Sequence, residues 1–222
     1  MGSHQTGITW RAGDVPVSEQ FGDPFYSLEN GLAETRHVFL TGNDLPARLR
    51  SGLHVAELGV GTGLNLLALA DMAQTEGVTG LRYTGFEAFP LAPADMARAV
   101  ATFPEVADLA RTWLSAWTGR SGTAQIGPVS ATIIIGDARR TLPQWTGRAD
   151  AWFLDGFAPA RNPELWEPAL MADVARHSAA GGSFATYTAA GAVRRALSDA
   201  GFNVERCPGF GRKRHMTKGR LS

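Results

Sequence analysis

Three glycines separated by single residues follow a carboxylate in the stretch that runs from Glu57 through Gly59 and Gly61 to Gly63. Glycine lets the main chain turn tightly and approach a bound ligand closely. The spacing differs from the G-x-G-x-x-G fingerprint of dinucleotide-binding turns, because Leu64 stands where the last glycine belongs. A carboxylate beside the turn would repel a pyrophosphate but attracts an ammonium group. The turn therefore favours a ligand such as S-adenosylmethionine, which carries an ammonium group and no phosphate.

Two further carboxylates stand at the ends of the next apolar runs. Glu87 ends the run "LRYTGFE", where an acid can accept both hydroxyls of a ribose. Asp137 follows "TIIIG", the position from which methyltransferases with such a sheet commonly contact adenine. The alternative for either residue is an exposed helix-capping acid. Three acids at successive strand ends favour a nucleoside-containing ligand over capping.

The segment "DAWFLDGFAPARNPELW" carries a fourth acid, Asp155, at the end of another apolar run. An acid here can accept a hydrogen bond from a substrate amine and direct the nitrogen lone pair toward a methyl group. The alternative is an aspartate that only stabilises the irregular loop. Asn162 and Pro163 predict the N-cap and first turn of the next helix.

Strands and helices alternate from residue 53 to about residue 200, as required to bring these acids to one edge of a sheet. Short apolar runs bounded by glycine and proline alternate with amphipathic segments, which indicates a parallel sheet covered on both faces. We therefore predict a doubly wound, mostly parallel α/β fold. Residues 8–50 precede the alternation and are predicted to cap the site, with residues 51–222 as the main domain.

The composition supports one soluble, cytoplasmic domain. The chain has 222 residues, 44% of them hydrophobic, and no apolar run approaches the roughly 20 residues that cross a bilayer. Its single cysteine, Cys207, excludes an internal disulfide and fits a reducing compartment. Residues 1–7 are interpreted as an expression-vector remnant or a disordered end. The five histidines and Cys207 lack metal-ligand spacing, so no metal site is predicted.

The charge is balanced overall but uneven along the chain. There are 21 lysines and arginines and 21 acids, yet the segment from Arg206 to Ser222 holds six cations and no carboxylate. Residues 1–205 therefore hold 15 cations against 21 acids, a net charge of −6. This basic end is either a solvated tail or a patch that contacts a polyanion such as RNA.

Several long motifs resemble the methyltransferase domain of the MnmC family. They are "YSLENGLAETRHVFLTGNDLPARL", "AELGVGTGLNLLAL", "DAWFLDGFAPARNPELW", "FATYTAAGAVRRAL" and "GFGRKRHM", and the resemblance extends from about Trp10 to Met216. It implies a class I, Rossmann-like methyltransferase that uses S-adenosylmethionine. The implied reaction methylates the primary amine of 5-aminomethyl-(2-thio)uridine at the wobble position of tRNA.

The resemblance also implies site residues. The cofactor turn would comprise Glu57, Gly59, Gly61, Thr62, Gly63 and Asn65, with Glu87 at the ribose and Asp137 and Ala138 at the adenine. The acceptor loop would hold Asp155, Gly156 and Phe157, and an amino-terminal motif would close the pocket with Tyr26, Gly31, Leu32, Glu34 and Thr35. The basic motif makes Arg212, Lys213 and Arg214 candidates for phosphate contacts. Ala88 departs from the family, since many members have lysine after the acid.

Partners and alternatives follow from the same resemblance. Several members carry a second, flavin-dependent oxidase domain, for which this sequence ends too early, so a stand-alone form or an excised domain is predicted. A separate flavin-dependent oxidase acting on the same uridine is then an expected partner besides tRNA. The alternatives are a methyltransferase for a small-molecule amine and a non-catalytic RNA-binding module. A nicotinamide oxidoreductase fits least, because of the glycine spacing.

Overall fold

The central strands are largely buried on both faces, which explains why their sequences are mostly apolar. In the computed structural model, which describes residues 7–222, every residue of the strand His54–Leu58 is buried. The predicted vector remnant at residues 1–7 lies outside the described residues except for Gly7. The strands are β1 Ile8–Arg11, β2 Val15–Ser18, β3 His54–Leu58, β4 Leu81–Glu87, β5 Gly122–Ile126, β6 Val129–Ile135, β7 Ala149–Leu154, β8 Ser178–Thr186, β9 Phe202–Pro208 and β10 His215–Leu221.

Eight helices connect and cover these strands. They are α1 Gly31–Thr35, α2 Leu45–Arg48, α3 Leu64–Thr75, α4 Pro93–Val100, α5 Ala107–Ala116, α6 Ala138–Thr141, α7 Pro168–Arg176 and α8 Gly191–Asp199, in the part of the chain that is described. A π-helical turn, Arg36–Thr41, follows α1 directly. Single 3₁₀ turns occur at Pro104–Val106, Leu142–Gln144 and Pro163–Trp166.

The main sheet has eight strands in the order β5-β6-β4-β3-β7-β8-β10-β9. β6, β4, β3, β7 and β8 pair in parallel, whereas β5 and β10 run antiparallel to their neighbours. β1 and β2 form a separate antiparallel hairpin. Because the five parallel strands share a direction, their carboxyl ends lie along one edge of the sheet.

Two apolar clusters lie on opposite faces of the sheet. One contains buried residues of α3, α4 and α5, such as Leu67, Met96 and Trp113. The other contains buried residues of α7 and α8, such as Leu170 and Leu197. The predicted doubly wound, mostly parallel α/β fold is therefore confirmed.

Two details differ from the prediction. The helix expected from Pro163 is a four-residue 3₁₀ turn, and α7 begins only at Pro168. Asn162 occupies the N-cap position of this turn, with Pro163 directly after it, but its side chain makes no capping hydrogen bond. A proline at position 168 has no amide hydrogen to continue the first turn into a longer helix. The antiparallel strands β5, β9 and β10 were not predicted.

The described residues add two negative findings. Among residues 7–222, no helix combines the length and the hydropathy that a membrane-spanning segment requires. Within the same range, no group of three or more histidine, cysteine, aspartate or glutamate side chains is placed to hold a metal ion.

Candidate functional site

A cavity of about 1130 Å³ opens at the carboxyl ends of β3, β4, β6 and β7. Ligands of open α/β sheets bind at this edge, beyond the strand ends. Most of the predicted site residues line it: Tyr26, Gly31, Glu34, Thr35, Gly59, Gly61, Thr62, Asn65, Glu87, Asp137, Ala138, Asp155, Gly156, Phe157, Arg212 and Lys213. The lining does not include Glu57, Gly63 or Arg214. The strand ends thus bring together residues that are more than 180 positions apart in the sequence.

The cavity lining carries more acids than bases. Seven carboxylates face four cations: Asp23, Glu29, Glu34, Glu87, Asp137, Asp155 and Glu164 against Arg139, Arg161, Arg212 and Lys213. A site with this excess attracts a ligand of net positive charge and disfavours a pyrophosphate.

Positive φ angles explain the first and last glycines of the turn. Gly59 has a φ of +78°, and a Cβ there would lie 3.0 Å from the Cα of Gly156, so the glycine turn and the acceptor loop are in close backbone contact. Gly63 has a φ of +77° and stands directly before α3. A Cβ on Gly63 would lie 2.6 Å from Nε1 of Trp113. Gly63 therefore serves the packing of α5 rather than the cavity wall.

Glu57 lies behind the cavity wall, which corrects the prediction that it contacts the ligand. It is completely buried, and both of its oxygens have protein partners. Tyr83 donates its hydroxyl to Oε2, and Asn65 donates its amide to Oε1. Burial raises the pKa of Glu57 well above its ordinary value, and the charge of Asp155 raises it further. Glu57 is thus placed to orient Asn65 rather than to receive an ammonium group.

Asn65 connects this buried acid to the cavity. Its amide nitrogen also donates to Oδ2 of Asp155 at 2.8 Å, and its oxygen accepts the hydroxyl of Thr35 at 2.8 Å. The amide therefore uses both of its hydrogens and one acceptor position. This arrangement fixes Asn65 between β3, α1 and the acceptor loop.

Glu87 sits in a ring of main-chain amides at the end of β4. Its Oε2 accepts from the amide of Gly61 at 2.8 Å, and its Oε1 accepts from the amide of Phe89 at 2.7 Å. Burial raises the pKa of Glu87, while these amides lower it. A carboxylate has about four acceptor positions, so each oxygen retains capacity for a ligand hydroxyl.

Asp137 combines the two interpretations offered by the sequence. It caps α6 by accepting from the amide of Arg139 at 2.9 Å, and it pairs with the guanidinium of the same residue at 2.7 Å. This guanidinium lowers the pKa of Asp137. Arg139 also reaches Glu167 at 3.3 Å. Asp137 and Ala138 nevertheless line the cavity, so capping does not remove them from the site.

Asp155 faces the cavity from the end of β7. Its Oδ1 accepts from the amide of Gly156 at 2.8 Å, and its Oδ2 accepts from Asn65. Burial raises the pKa of Asp155 to about 7, with the two hydrogen bonds acting in the opposite direction. Glu34 raises the pKa further, and Lys213 lowers it. An acid that titrates near neutral pH at a cavity wall is suited to binding and exchanging a proton.

The acceptor loop, residues 156–161, is held by hydrogen bonds along its backbone. Tyr187 donates its hydroxyl to the carbonyl of Gly156 at 2.8 Å, and Trp166 donates Nε1 to the carbonyl of Phe157 at 2.9 Å. The amide of Ala158 donates to Asp23 at 2.8 Å. The loop is thus fixed although it lacks regular secondary structure.

Tyr26, predicted to help close the pocket, lines the cavity and also anchors the amino-terminal segment. Its hydroxyl donates to the carbonyl of Asp14 at 3.0 Å and reaches the carbonyl of Ala99 at 3.2 Å, so it anchors the amino-terminal segment to α4. The ring of Tyr26 lines the cavity, but the hydroxyl is occupied by these backbone groups. Gly31 and Leu32 begin α1, and Leu32 is buried in the core.

The basic motif is largely paired with carboxylates. Arg212 lies 3.0 Å from Glu29, and Lys213 lies 2.8 Å from Glu34 and 4.3 Å above the ring of Tyr187. Arg214 is exposed and lies outside the cavity lining. The predicted phosphate contacts of Arg212 and Lys213 therefore compete with existing ion pairs.

Aromatic residues that the sequence reasoning missed cover the centre of the cavity. Phe21 stacks on Phe157 with 4.6 Å between ring centroids and contacts Phe89 edge-on at 5.1 Å. Phe25 contacts Phe157 edge-on at 5.1 Å. Tyr187 was also missed, although its place directly after the predicted strand "GGSFATYT" could have indicated it.

Sequence comparison matches the chain to known methyltransferases. A family model described as "S-adenosyl-L-methionine-dependent methyltransferase" matches residues 101–222. The chain is 43% identical over 224 residues to the "tRNA 5-methylaminomethyl-2-thiouridine biosynthesis bifunctional protein MnmC" of Pseudomonas aeruginosa, covering 96% of the chain and 34% of that protein. The protein of the same name from a Caulobacter species is 44% identical over 221 residues, which cover 93% and 37%. The chain spans about a third of the length of these relatives.

Solved structures agree on the fold. The crystal structure of MnmC2 from Aquifex aeolicus superposes with a TM-score of 0.79 at 23% identity, covering 98% of this chain and 70% of that chain. A precorrin-6y C5,15-methyltransferase from Geobacter metallireducens superposes with a TM-score of 0.53 at 13% identity, covering 96% and 98%.

Proposed function

Because the chain belongs to the family of S-adenosyl-L-methionine-dependent methyltransferases, we propose that it methylates the primary amine of 5-aminomethyl-(2-thio)uridine at the wobble position of tRNA. The product would be the 5-methylaminomethyl nucleoside that appears in the names of its relatives. The observation that carries the proposal is Asp155, an acid with a pKa near 7 on the wall of the cavity that also contains the glycine turn.

The lining of the cavity suits S-adenosylmethionine in charge. The cofactor has two cationic groups and one carboxylate, so its net positive charge suits a lining with seven acids and four bases. Gly59, Gly61, Thr62 and Asn65 would hold its amino-acid part, Glu87 its ribose, and Asp137 with Ala138 its adenine. When bound, the cofactor supplies the methyl group and the sulfonium charge that activates it.

Asp155 acts on the acceptor amine. Its two oxygens each have one protein donor and retain acceptor positions, from which the carboxylate accepts a hydrogen bond from the amine and orients its lone pair. Orientation of the reacting atoms provides a large share of the acceleration in such transfers. As a second role, the carboxylate can take the proton that the nitrogen loses. Gly156 and Phe157 shape the adjoining wall.

The amino-terminal segment, residues 8–50, closes the cavity in this proposal, and residues 51–222 form the methyltransferase domain. Glu34 and Thr35 reach Lys213 and Asn65, respectively, and so join the segment to the site. Arg212 and Arg214 would contact tRNA phosphates, with Lys213 beside them. A flavin-dependent oxidase acting on the same uridine would supply the aminomethyl group, and a cytoplasmic setting follows from the tRNA substrate.

The decisive experiment is nucleoside mass spectrometry of tRNA that carries aminomethyluridine, after incubation with the protein and S-adenosylmethionine. We expect a mass gain of one methyl group at the wobble position. Absence of that gain, with cofactor binding demonstrated by calorimetry, would refute the proposal. Calorimetry alone also tests the alternative of a non-catalytic RNA-binding module, which would bind no cofactor.

One observation favours a methyltransferase for a small-molecule amine. The ion pairs Arg212–Glu29 and Lys213–Glu34 neutralise two of the cations predicted to bind phosphate. Salt titration of tRNA binding separates the candidates, because phosphate contacts make the affinity fall steeply with salt concentration. Binding of tRNA that does not respond to salt would favour the small-molecule acceptor.

A further inference from the structure

The four cations that line the cavity differ in their partners. Arg139 pairs with Asp137 and Glu167, Arg212 pairs with Glu29, and Lys213 pairs with Glu34. Within residues 7–222, no carboxylate lies within ion-pair distance of Arg161, and its guanidinium makes no hydrogen bond to another side chain. Arg161 is therefore the cavity-lining cation whose charge is left for a ligand.

The main chain at Arg161 is fixed by hydrogen bonds. The amides of Arg161 and Asn162 donate to the carbonyl of Ala158 at 2.7 and 3.0 Å, and the amide of Ala158 donates to Asp23. Nη1 of Arg161 lies 3.6 Å from the position that a Cβ on Gly22 would take. Its exposed side chain thus lies at the rim between the acceptor loop and the amino-terminal segment.

The chemistry of this position suits an anion. A guanidinium repels the sulfonium and the ammonium groups that the acidic interior attracts. It presents donors in a planar fork that matches the oxygens of a phosphate. Arg161 ends the acceptor loop that begins directly after Asp155, so an anion bound there lies beside the entrance for the acceptor.

We infer that Arg161 binds a backbone phosphate next to the acceptor nucleotide, and so makes the enzyme select a nucleotide within RNA over a free nucleoside. The inference rests on the proposed function, because it takes tRNA as the acceptor. Arg161 is a positioning residue in this account, since it contacts the substrate chain but not the reacting atoms.

The test uses the full chain with Arg161→Gln and Arg161→Lys. Arg82→Gln is the control, because Arg82 is exposed on β4 at the opposite edge of the sheet, pairs with no described carboxylate and donates only a long hydrogen bond, 3.4 Å, to the carbonyl of Gly52. Methyl transfer is measured with tRNA bearing 5-aminomethyluridine and with the free nucleoside 5-aminomethyluridine, and tRNA binding is measured over a salt series. Circular dichroism melts confirm that each variant folds.

For Arg161→Gln, we expect the KM for tRNA to rise roughly 10-fold with kcat little changed, because one charge-assisted contact is lost. The slope of log Kd against log salt should fall by about 0.7, the value for one contact to a single strand. Arg161→Lys should restore part of the affinity, and the free nucleoside should react equally with all variants.

Three results would overturn the inference. The first is a tRNA affinity and salt slope for Arg161→Gln equal to those of Arg82→Gln. The second is an equal loss with tRNA and with the nucleoside, which would place Arg161 at the base or the cofactor. Both leave the proposed function intact if the wild type methylates tRNA. The third is a wild type that methylates no tRNA, which overturns the proposed function and this inference together.

Discussion

Asn65 donates its amide to Asp155 at 2.8 Å while the same nitrogen donates to the buried Glu57. One neutral side chain thus separates two acids whose pKa values are both raised by burial. The cavity-facing acid is oriented from behind by a residue that is itself oriented by Glu57 and Thr35. This relationship gives each acid a distinct role, one structural and one facing the substrate.

Replacing Asn65 by alanine removes both donors at once. We expect a loss of about 1–3 kcal/mol in the free energy of unfolding, because Glu57 is left with a buried oxygen that has no partner. The affinity for S-adenosylmethionine should fall as well. Urea unfolding and calorimetry measure the two effects, and Asn203→Ala on the exposed side of β9 is the control. A variant as stable as this control would contradict the role given to Asn65.

Replacing Asp155 by alanine should mainly reduce kcat, by a factor on the order of 10². The physical reason is that the amine loses the acceptor that orients it, whereas the groups placed around the cofactor remain. Single-turnover methyl transfer with saturating cofactor measures the effect, and Asp199→Ala on the exposed side of α8 is the control. Unchanged turnover with bound cofactor would show that Asp155 only stabilises its loop.

The edge of the main sheet that contains the site could be predicted, because the direction of the parallel strands determines it. The carboxyl ends of parallel strands lie along the same edge of a sheet, so the acids at the ends of β4, β6 and β7 were expected to lie close together. The sequence could not show that Glu87 lines the cavity whereas Glu57 lies behind its wall. That difference depends on the hydrogen bonds that Asn65 and Tyr83 donate to Glu57. Glu57 is the penultimate residue of β3 and Glu87 is the last residue of β4, so both stand near a strand end.

Ion pairs between residues far apart in the sequence, and strands at the edge of the sheet, could not be predicted from the sequence for a different reason. Lys213 and Glu34 are 179 positions apart, and their ion pair depends on the turn between β9 and β10. In β9 only Phe202 is buried and the other residues are exposed or half-buried, since the strand lies at the edge of the sheet. Propensity alone identifies such strands poorly.

The glycine turn offers a test that separates backbone strain from packing. Gly63→Ala places a methyl group 2.6 Å from Nε1 of Trp113 and adopts a φ of +77°. Gly77→Ala adopts a φ of +67° with no atom within 4 Å, so it isolates the cost of the backbone conformation. We expect Gly63→Ala to lose about 1–3 kcal/mol more than Gly77→Ala, because overpacking adds to strain. If both variants lose the same free energy of unfolding in urea, α5 moves away from the new methyl group without a loss of stability.

The pKa of Asp155 predicts how stability depends on pH. Burial raises its pKa from 3.8 to about 7, so the folded protein holds a proton that the unfolded chain has already released between these values. Stability from this group is therefore present in full below pH 4, falls as the pH rises toward 7, and then stays constant. Asp155→Asn removes the titrating proton. The stability of the variant relative to wild type should therefore rise as the pH rises from 4 to 7.

Urea unfolding of both proteins at pH 4, 5, 6, 7 and 8 measures the difference, with Asp199→Asn as the control for the loss of an exposed carboxylate. Glu87 is present in both proteins, so its titration largely cancels from the comparison, whereas Asp155→Asn also removes the charge that raises the pKa of Glu57 and so lowers that pKa. A difference between wild type and Asp155→Asn that is flat from pH 4 to pH 7 would mean that Asp155 is ionised throughout. The carboxylate would then be fit to orient an amine but too weak a base to take its proton.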